Sequence, residues 1–130
     1  MNWEPVKIYN EQKGRNTPYA SIGYGRISLN AAACELIKDN NEFTYAKLLK
    51  ATQGKKTFVA IRFLKEYDSD AIKIKRKTIK GKLIAGLSIE TKGVIADLFG
   101  TDGENKVATR YNVKKEKYDE NEDILVIYKD

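Results

Sequence analysis

The side chains best placed to do chemistry in this chain are the cations of one basic stretch, AIKIKRKTIKGK, at residues 71–82. No acidic residue interrupts them. A row of ammonium and guanidinium groups could contact the phosphates of a nucleic-acid backbone without reading its sequence. Lysines also occur on the edge strands of sheets, where they oppose aggregation. The stretch therefore indicates either a phosphate-binding surface or a charged edge strand.

Strand geometry would put the lysines of this stretch on one surface. Isoleucine and lysine alternate from Ala71 to Thr78, which is the period of a half-exposed strand. Lys73, Lys75 and Lys77 would then share one face at intervals of about 7 Å, since a strand rises roughly 3.3 Å per residue. The isoleucines and Arg76 would lie on the other face. That spacing could follow a phosphate backbone.

Two residues outside the basic stretch join the candidate site. Arg62 lies on the adjoining predicted strand, TFVAIRFL, and Tyr45 lies near basic residues. A tyrosine ring can stack on a nucleobase, although half-buried packing in a sheet accounts for most tyrosines. The candidate nucleic-acid-binding residues are Lys73, Lys75, Arg76, Lys77, Lys80, Lys82, Arg62 and Tyr45.

Catalytic and metal chemistry have little support. The chain contains no histidine, and Cys34, its one cysteine, sits in an alanine-rich predicted helix. A thiol nucleophile normally needs a neighbouring base, so a small buried residue is the better interpretation of Cys34. The acidic cluster at residues 119–123 occupies a predicted hairpin turn, and Gly23-Tyr24-Gly25 is far short of a dinucleotide fingerprint. We expect no enzyme, no metal site and no cofactor.

Length and charge set the broad class. The 130 residues suit a single domain, 1–130, and 42% of them are hydrophobic, enough to form a core. The net charge of +6 favours anionic partners, and it would also keep a small protein soluble. No apolar run resembles a signal peptide or approaches a membrane span. We therefore expect a cytoplasmic protein without membrane contact.

Hydrophobic patterning predicts mostly strands with two short helices. The helices are expected near residues 30–38 and 91–99, with Asn30 as an N-cap and Gly100 as a C-cap. Residues 1–17 form an amino-terminal segment and loop. A turn at Gln53–Lys56 and another at Asp119–Glu122 would close two hairpins. Strands are expected at 19–29, 43–52, 57–65, 71–78, 82–89, 108–118 and 123–129.

The order of predicted elements repeats once. RISL at 26–29 precedes the helix AAACELI, and GLSI at 86–89 precedes the helix GVIADLF. A tyrosine strand follows each helix, and an isoleucine lies sixteen residues beyond each tyrosine. These landmarks are Tyr45 and Ile61 in the first half, and Tyr111 and Ile127 in the second.

The repeat gives a fold class. Two degenerate β-α-β-β halves, 19–65 and 71–130, would each cover the apolar face that the other cannot hide. We predict an α+β fold, built as a bent antiparallel sheet or partly closed barrel with two short helices.

Two families resemble parts of this pattern. GRISLNAAACELI with its following hairpin resembles half of an AbrB-type DNA-binding domain, in which a strand, a short helix and a hairpin interlock with a second copy. Four predicted strands before GLSIETKGVIADLF resemble the Whirly-like single-stranded-DNA-binding coactivators, which carry nucleic acid across a curved sheet, usually as dimers. With its early Trp3, the LNAAA helix start and the closing ILVI strand, the whole chain also resembles small proteins of Gram-positive bacteria and their phages.

The functional expectation is a non-enzymatic nucleic-acid-binding protein, either a small DNA-binding regulator or a single-strand binder. The alternative is a protein-interaction module or inhibitor from a phage or mobile element that acts on a host complex, or one that sequesters an anionic nucleotide. Expected partners are nucleic acid, a protein partner under the alternative, and a second copy in a homodimer.

Overall fold

The computed structural model describes residues 1–5, 17–76, 78–79, 81–83, 86–100 and 108–128, with the backbone alone at 78–79 and 82–83. Most of the predicted amino-terminal loop and the predicted loop at 101–106 lie outside these residues. The strands are β1 (Tyr19–Gly23), β2 (Arg26–Leu29), β3 (Tyr45–Gln53), β4 (Lys56–Leu64), β5 (Ile72–Lys73), β6 (Thr78–Ile79), β7 (Lys82–Leu83), β8 (Leu87–Glu90), β9 (Thr109–Asp119) and β10 (Glu122–Tyr128). The helices are α1 (Ala31–Glu35) and α2 (Lys92–Phe99), with a 3-10 turn at Asn40–Glu42.

Eight strands form one antiparallel sheet that nearly closes into a barrel. Their order is β5-β3-β4-β10-β9-β1-β2-β8. The two ends of this order meet at a bridge, where the Lys75 amide donates to the Ser88 carbonyl at 2.9 Å and the Ser88 amide donates back at 2.8 Å. The predicted α+β class and partly closed barrel are confirmed, while β6 and β7 form a separate pair.

The core fills the inside of the barrel. Inward positions alternate along each strand, as Val59, Ile61 and Phe63 do along β4. The helices add Ile95 and Phe99 from α2 and smaller residues from α1. Burying one such large side chain stabilises the fold by about 1.5–3 kcal/mol. The remaining fully buried large residues are Ile22, Ile27, Ile89, Leu125 and Ile127.

Both predicted hairpins are present. β3 and β4 pair up to Gln53 opposite Lys56, and β9 and β10 pair around the turn after Asp119. β4 lies between β3 and β10, as its nearly continuous apolar sequence predicts.

The extended stretch predicted at 19–29 is instead a tight hairpin, so that prediction is wrong in its local form. β1 and β2 pair from Ala20 opposite Leu29 to Gly23 opposite Arg26. Tyr24 and Gly25 form the turn with φ of 56° and 71°. Two consecutive positive φ angles are typical of the type I′ turns whose twist suits a two-residue hairpin.

The strand predicted at 71–78 is interrupted. β5 pairs with β3 only at Ile72 and Lys73, and the Ile74 amide then donates to the Thr44 carbonyl at 2.8 Å. The chain changes partners at Lys75, which bridges to β8, and β6 belongs to the separate pair. The segment that closes the barrel therefore cannot continue as one regular strand.

Helix α1 is shorter than predicted, ending at Glu35. Its start is as expected, because the Asn30 side-chain oxygen accepts from the Ala33 amide at 3.0 Å. Its end tightens, since the Leu36 and Ile37 amides donate to carbonyls only three residues back. Helix α2 covers the predicted segment, and the Gly100 amide donates to the Ala96 carbonyl at 2.7 Å.

Two pairs of residues that the sequence repeat makes equivalent, or that adjoin its landmarks, lie opposite each other in the sheet. Ser28 and Ser88, equivalent in the sequence repeat, lie directly opposite each other in the β2–β8 pair. Ala60 and Val126, the residues before Ile61 and Ile127, lie opposite each other in the β4–β10 pair. Both isoleucines are fully buried, as the repeat predicts.

The tyrosine landmarks of the repeat are misaligned by one residue. Tyr111 pairs with the buried Ala20 and packs against the core, whereas Tyr45 pairs with Lys73 and faces outward. Ala46 takes the inward position in β3. The β9–β10 pair shifts register near Glu122, and this irregularity moves β9 by one residue relative to β3.

Candidate nucleic-acid interface

The lysines of the basic stretch divide between free and paired side chains. Lys73 is exposed and pairs across the sheet with Tyr45, so the structure brings these two predicted residues together. Lys75 donates to Glu90 at 2.6 Å, and this hydrogen bond lowers the pKa of the Glu90 carboxyl. Lys77, Lys80 and the Lys82 side chain lie outside the described residues.

Arg76 is tied to the protein backbone. Its Nη2 donates to the Asn40 carbonyl at 2.7 Å and to the Phe43 carbonyl at 3.1 Å, and it lies 3.3 Å from Asn40 Oδ1. The Asn40 carbonyl also accepts from the Phe43 amide at 3.1 Å, the hydrogen bond that closes the 3-10 turn. The Arg76 guanidinium therefore fastens the Asn40–Glu42 turn to the barrel.

Arg62 and Tyr45 also have partners. Arg62 Nε donates to Glu122 at 2.5 Å, which raises the pKa of the guanidinium, and Arg62 lies over the Tyr118 ring with Cζ 4.6 Å from its centroid. The Tyr45 ring meets Tyr67 edge-on at 5.7 Å between centroids. The Glu122 carboxylate beside Arg62 weakens the electrostatic attraction between that cation and a phosphate.

A different set of aromatic side chains forms a row on the outside of the barrel. Tyr128 of β10 and Tyr19 of β1 both pair with Asn112 of β9. Phe58 of β4 meets Tyr128 edge-on, with 6.0 Å between ring centroids. Phe58, Tyr128 and Tyr19, hereafter the aromatic row, thus cross four adjacent strands at one level of the sheet.

Unpaired cations accompany the aromatic row. Lys114 Nζ lies 5.2 Å from the Tyr128 ring centroid, and Arg110 Cζ lies 4.6 Å from the Tyr19 centroid. Neither forms an ion pair within the part of the chain that the structure describes. The same holds for Lys50, Lys55 and Lys56, which are exposed on the β3–β4 hairpin next to Phe58.

The cations at the opposite end of this sheet surface are paired. Arg62 is held by Glu122, and Lys47 donates to Asp68 at 2.7 Å, which lowers the pKa of the Asp68 carboxyl. On the opposite face of β9 and β10, Lys117 lies 3.4 Å from Asp123. On this outward surface, the described cations around the aromatic row have no carboxylate partner, whereas Arg62 and Lys47 each have one.

Beside the row lies an apolar depression of about 610 Å³, hereafter the outer depression. Its floor is Ala60, Ile124 and Val126, which point away from the barrel yet are only 8%, 9% and 5% exposed. The walls are Leu49, Phe58, Tyr118 and Tyr128, and Lys50 and Glu116 line it as well. Two members of the aromatic row, Phe58 and Tyr128, therefore also belong to this depression.

A second cavity of about 510 Å³ adjoins Cys34, Asn40 and Arg76. Cys34 is buried, as predicted, and burial raises the pKa of its thiol to about 11. The thiol is therefore protonated at neutral pH and is a poor nucleophile.

The acidic turn has local partners. The Asn121 amide donates to Asp119 Oδ1 at 2.8 Å, a contact that shapes the turn. Over the described ranges, no group of three or more acidic, cysteine or histidine side chains is arranged to hold a metal ion. No described helix combines the length and apolar character needed to cross a membrane.

Sequence reasoning missed the aromatic row because its members are far apart in the chain. Residues 19, 58 and 128 come together only through the β4–β10–β9–β1 ladder. The available signal was local: TRYNVKKEKY interleaves tyrosines with four cations on one predicted strand. Searches of protein-family models, curated proteins and solved structures gave no significant match to this chain.

Proposed function

We propose that this protein binds single-stranded nucleic acid, without catalysis, on the aromatic row and the cations beside it. The observation that carries the proposal is the alignment of Phe58, Tyr128 and Tyr19 across adjacent strands, with Lys114 and Arg110 over two of the rings. Stacking of a base on an aromatic side chain contributes about 1–3 kcal/mol and tolerates any sequence.

Charge supports the same surface. Lys114 and Arg110 have no carboxylate partner among the described residues, so a phosphate would not have to displace one. The exposed lysines of the β3–β4 hairpin extend the positive potential along the row. Such contacts position a backbone without reading its sequence, and their strength falls steeply with salt.

The basic stretch at 71–82 has a smaller role in this proposal. Lys75 is engaged by Glu90, and Arg76 is held by backbone carbonyls. Lys73 and the outward face of Tyr45 remain as a secondary contact for a longer strand. The two candidate surfaces can be distinguished by comparing how binding affinity changes when cations over the aromatic row or cations of the basic stretch are replaced.

The test uses fluorescence anisotropy with a labelled single strand of about 12 nucleotides, at about 50 and 200 mM salt. The double variant Lys114→Gln/Arg110→Gln should weaken binding and flatten the plot of log affinity against log salt by about 0.7 per lost phosphate contact. The matched control is Lys73→Gln/Lys75→Gln, which should change the affinity and the salt slope much less.

Two results would overturn the proposal. One is the absence of any binding by the parent protein at the lower salt concentration. The other is a parent-like affinity and salt slope in Lys114→Gln/Arg110→Gln. If only the control variant lost affinity, the basic stretch would be the binding surface instead.

We also infer that the two halves are degenerate copies of one β-α-β-β unit. The support is the placement of repeat-equivalent residues directly opposite each other, Ser28 with Ser88 and Ala60 with Val126. Such an origin agrees with the resemblance to the AbrB-type arrangement, where a strand, a helix and a hairpin interlock with a second copy.

A further inference from the structure

We propose that the outer depression holds one unstacked nucleobase of the bound strand. This inference rests on the proposed function and adds a specific pocket to it. The depression shares Phe58 and Tyr128 with the aromatic row, so a strand stacked along the row passes its mouth. A base turned out of that strand would lie on Ala60, Ile124 and Val126.

The walls of the outer depression are held in place before any ligand arrives. The Tyr118 ring lies under the Arg62 guanidinium, which Glu122 fixes with two hydrogen bonds of 2.5 and 3.2 Å. The Tyr128 hydroxyl donates to Glu116 at 2.5 Å, and its ring rests edge-on against Phe58. Preformed walls reduce the entropy lost when a ligand is immobilised.

The shape and polarity of the depression match a base. A volume of about 610 Å³ falls within the range of small-ligand sites, which are mostly apolar with a few polar groups. The apolar floor suits the flat face of a heterocycle, because Ala60 leaves room that a larger side chain would fill. Glu116 at the lining offers an acceptor to its polar edge.

Charge complementarity favours a nucleotide over a neutral apolar ligand. Lys114 lies over the Tyr128 ring, close to the mouth, and forms no ion pair with a described carboxylate. It can contact the phosphate attached to the inserted base. A paired base would first have to leave its duplex at a cost of a few kcal/mol. The pocket therefore selects single strands over duplexes.

The experiment compares two labelled strands of about 12 nucleotides. One has a mixed sequence, and the other has the same phosphodiester backbone with abasic sites throughout. The affinity for each strand is measured with the parent protein and with Ala60→Phe, which fills the depression. The control is Thr52→Phe, at an exposed position on the face of β3 that points away from the depression. Urea unfolding curves check that each variant is folded.

The parent and Thr52→Phe should bind the base-containing strand at least tenfold more tightly than the abasic one. Ala60→Phe should lose about fivefold or more of that preference, the contribution of one base, because the aromatic row still stacks the others, and it should keep its affinity for the abasic strand. If Ala60→Phe does not fold, the parent is compared using a strand that carries a single 2-aminopurine. Its fluorescence should fall when the base enters the depression and stay unchanged with duplex.

The possible failures differ from one another. If neither strand binds at low salt, the proposed function and the pocket assignment are both wrong. If folded Ala60→Phe keeps the full preference for bases, the strand stacks on the row alone and the pocket assignment is wrong. If the only effect of Ala60→Phe is to abolish a dimer that the parent forms, the depression is an interface between two copies of the chain. The pocket assignment is then wrong as well.

Discussion

Ser28 lies directly opposite Ser88 across the β2–β8 pair, at the centre of the antiparallel register between the two halves. The strand of each serine leads into one of the two helices, α1 or α2. On the far side of the barrel, Ala60 and Val126 repeat the relationship in the middle of β4 and β10. These two contacts support the proposal that the barrel is built from two similar units.

The proposed equivalence of the halves predicts that Ile61 and Ile127, which are both fully buried, are equally sensitive to substitution. Ile61→Asp and Ile127→Asp would each bury an unpaired carboxylate and should reduce the free energy of unfolding by more than about 4 kcal/mol. Urea unfolding followed by circular dichroism measures this. Thr52→Asp, at an exposed position of the same sheet, should change stability by less than about 1 kcal/mol. Parent-like melting of either isoleucine variant would contradict the fold.

Two glycines should respond to alanine in opposite directions. Gly86 has φ of +116°, and an added Cβ would lie 2.9 Å from the Leu29 carbonyl oxygen, so Gly86→Ala should destabilise by about 1–3 kcal/mol. Gly93 lies inside α2 with open space around it, so Gly93→Ala should stabilise by about 0.5–1 kcal/mol. Thermal unfolding of both variants checks the sign, and a loss of stability in Gly93→Ala would contradict the helix.

The Cys34 thiol should be unreactive in the folded protein. Its pKa is raised to about 11 by burial, so little thiolate exists at about pH 8, where a free cysteine is partly ionised. A thiol-specific colorimetric reagent should label the native protein many times more slowly than the urea-unfolded protein. Equal labelling rates in the two states would mean that α1 does not bury the thiol.

Lowering the pH should reduce the folding stability of the protein, partly through protonation of Glu90 and Asp68. The hydrogen bonds from Lys75 and Lys47 lower the pKa values of these carboxyls from ordinary values of 4.5 and 3.8. A lowered folded-state pKa gives stability that is present above the unfolded value and lost as the pH falls through the folded value. The double variant Lys75→Gln/Lys47→Gln should therefore lose less stability than the parent between about pH 5 and pH 3. Unfolding midpoints across that range test it, and parallel curves would refute it.

Much of the local structure could be predicted because it depends on neighbours in the sequence. The side chain of Asn30 caps α1, the turn after Gln53 closes the β3–β4 hairpin, and alternation along β4 sets its buried face. The repeat predicted equivalent burial of Ile61 and Ile127. The basic stretch was also visible, yet its sequence could not show that Lys75 would be held by Glu90 or Arg76 by the Asn40 carbonyl.

The α+β class, the two helices, the two predicted hairpins and the excess of positive charge each follow from composition or from short-range periodicity, so they could be predicted from the sequence. Which cations lack a carboxylate partner depends instead on how distant strands pair. Ladder register brings Phe58, Tyr128 and Tyr19 into one row. Among the described residues, acids form ion pairs with Arg62 and Lys75 but not with Lys114 or Arg110. Coulomb interactions depend on distance in space, and the pairing of distant strands sets that distance.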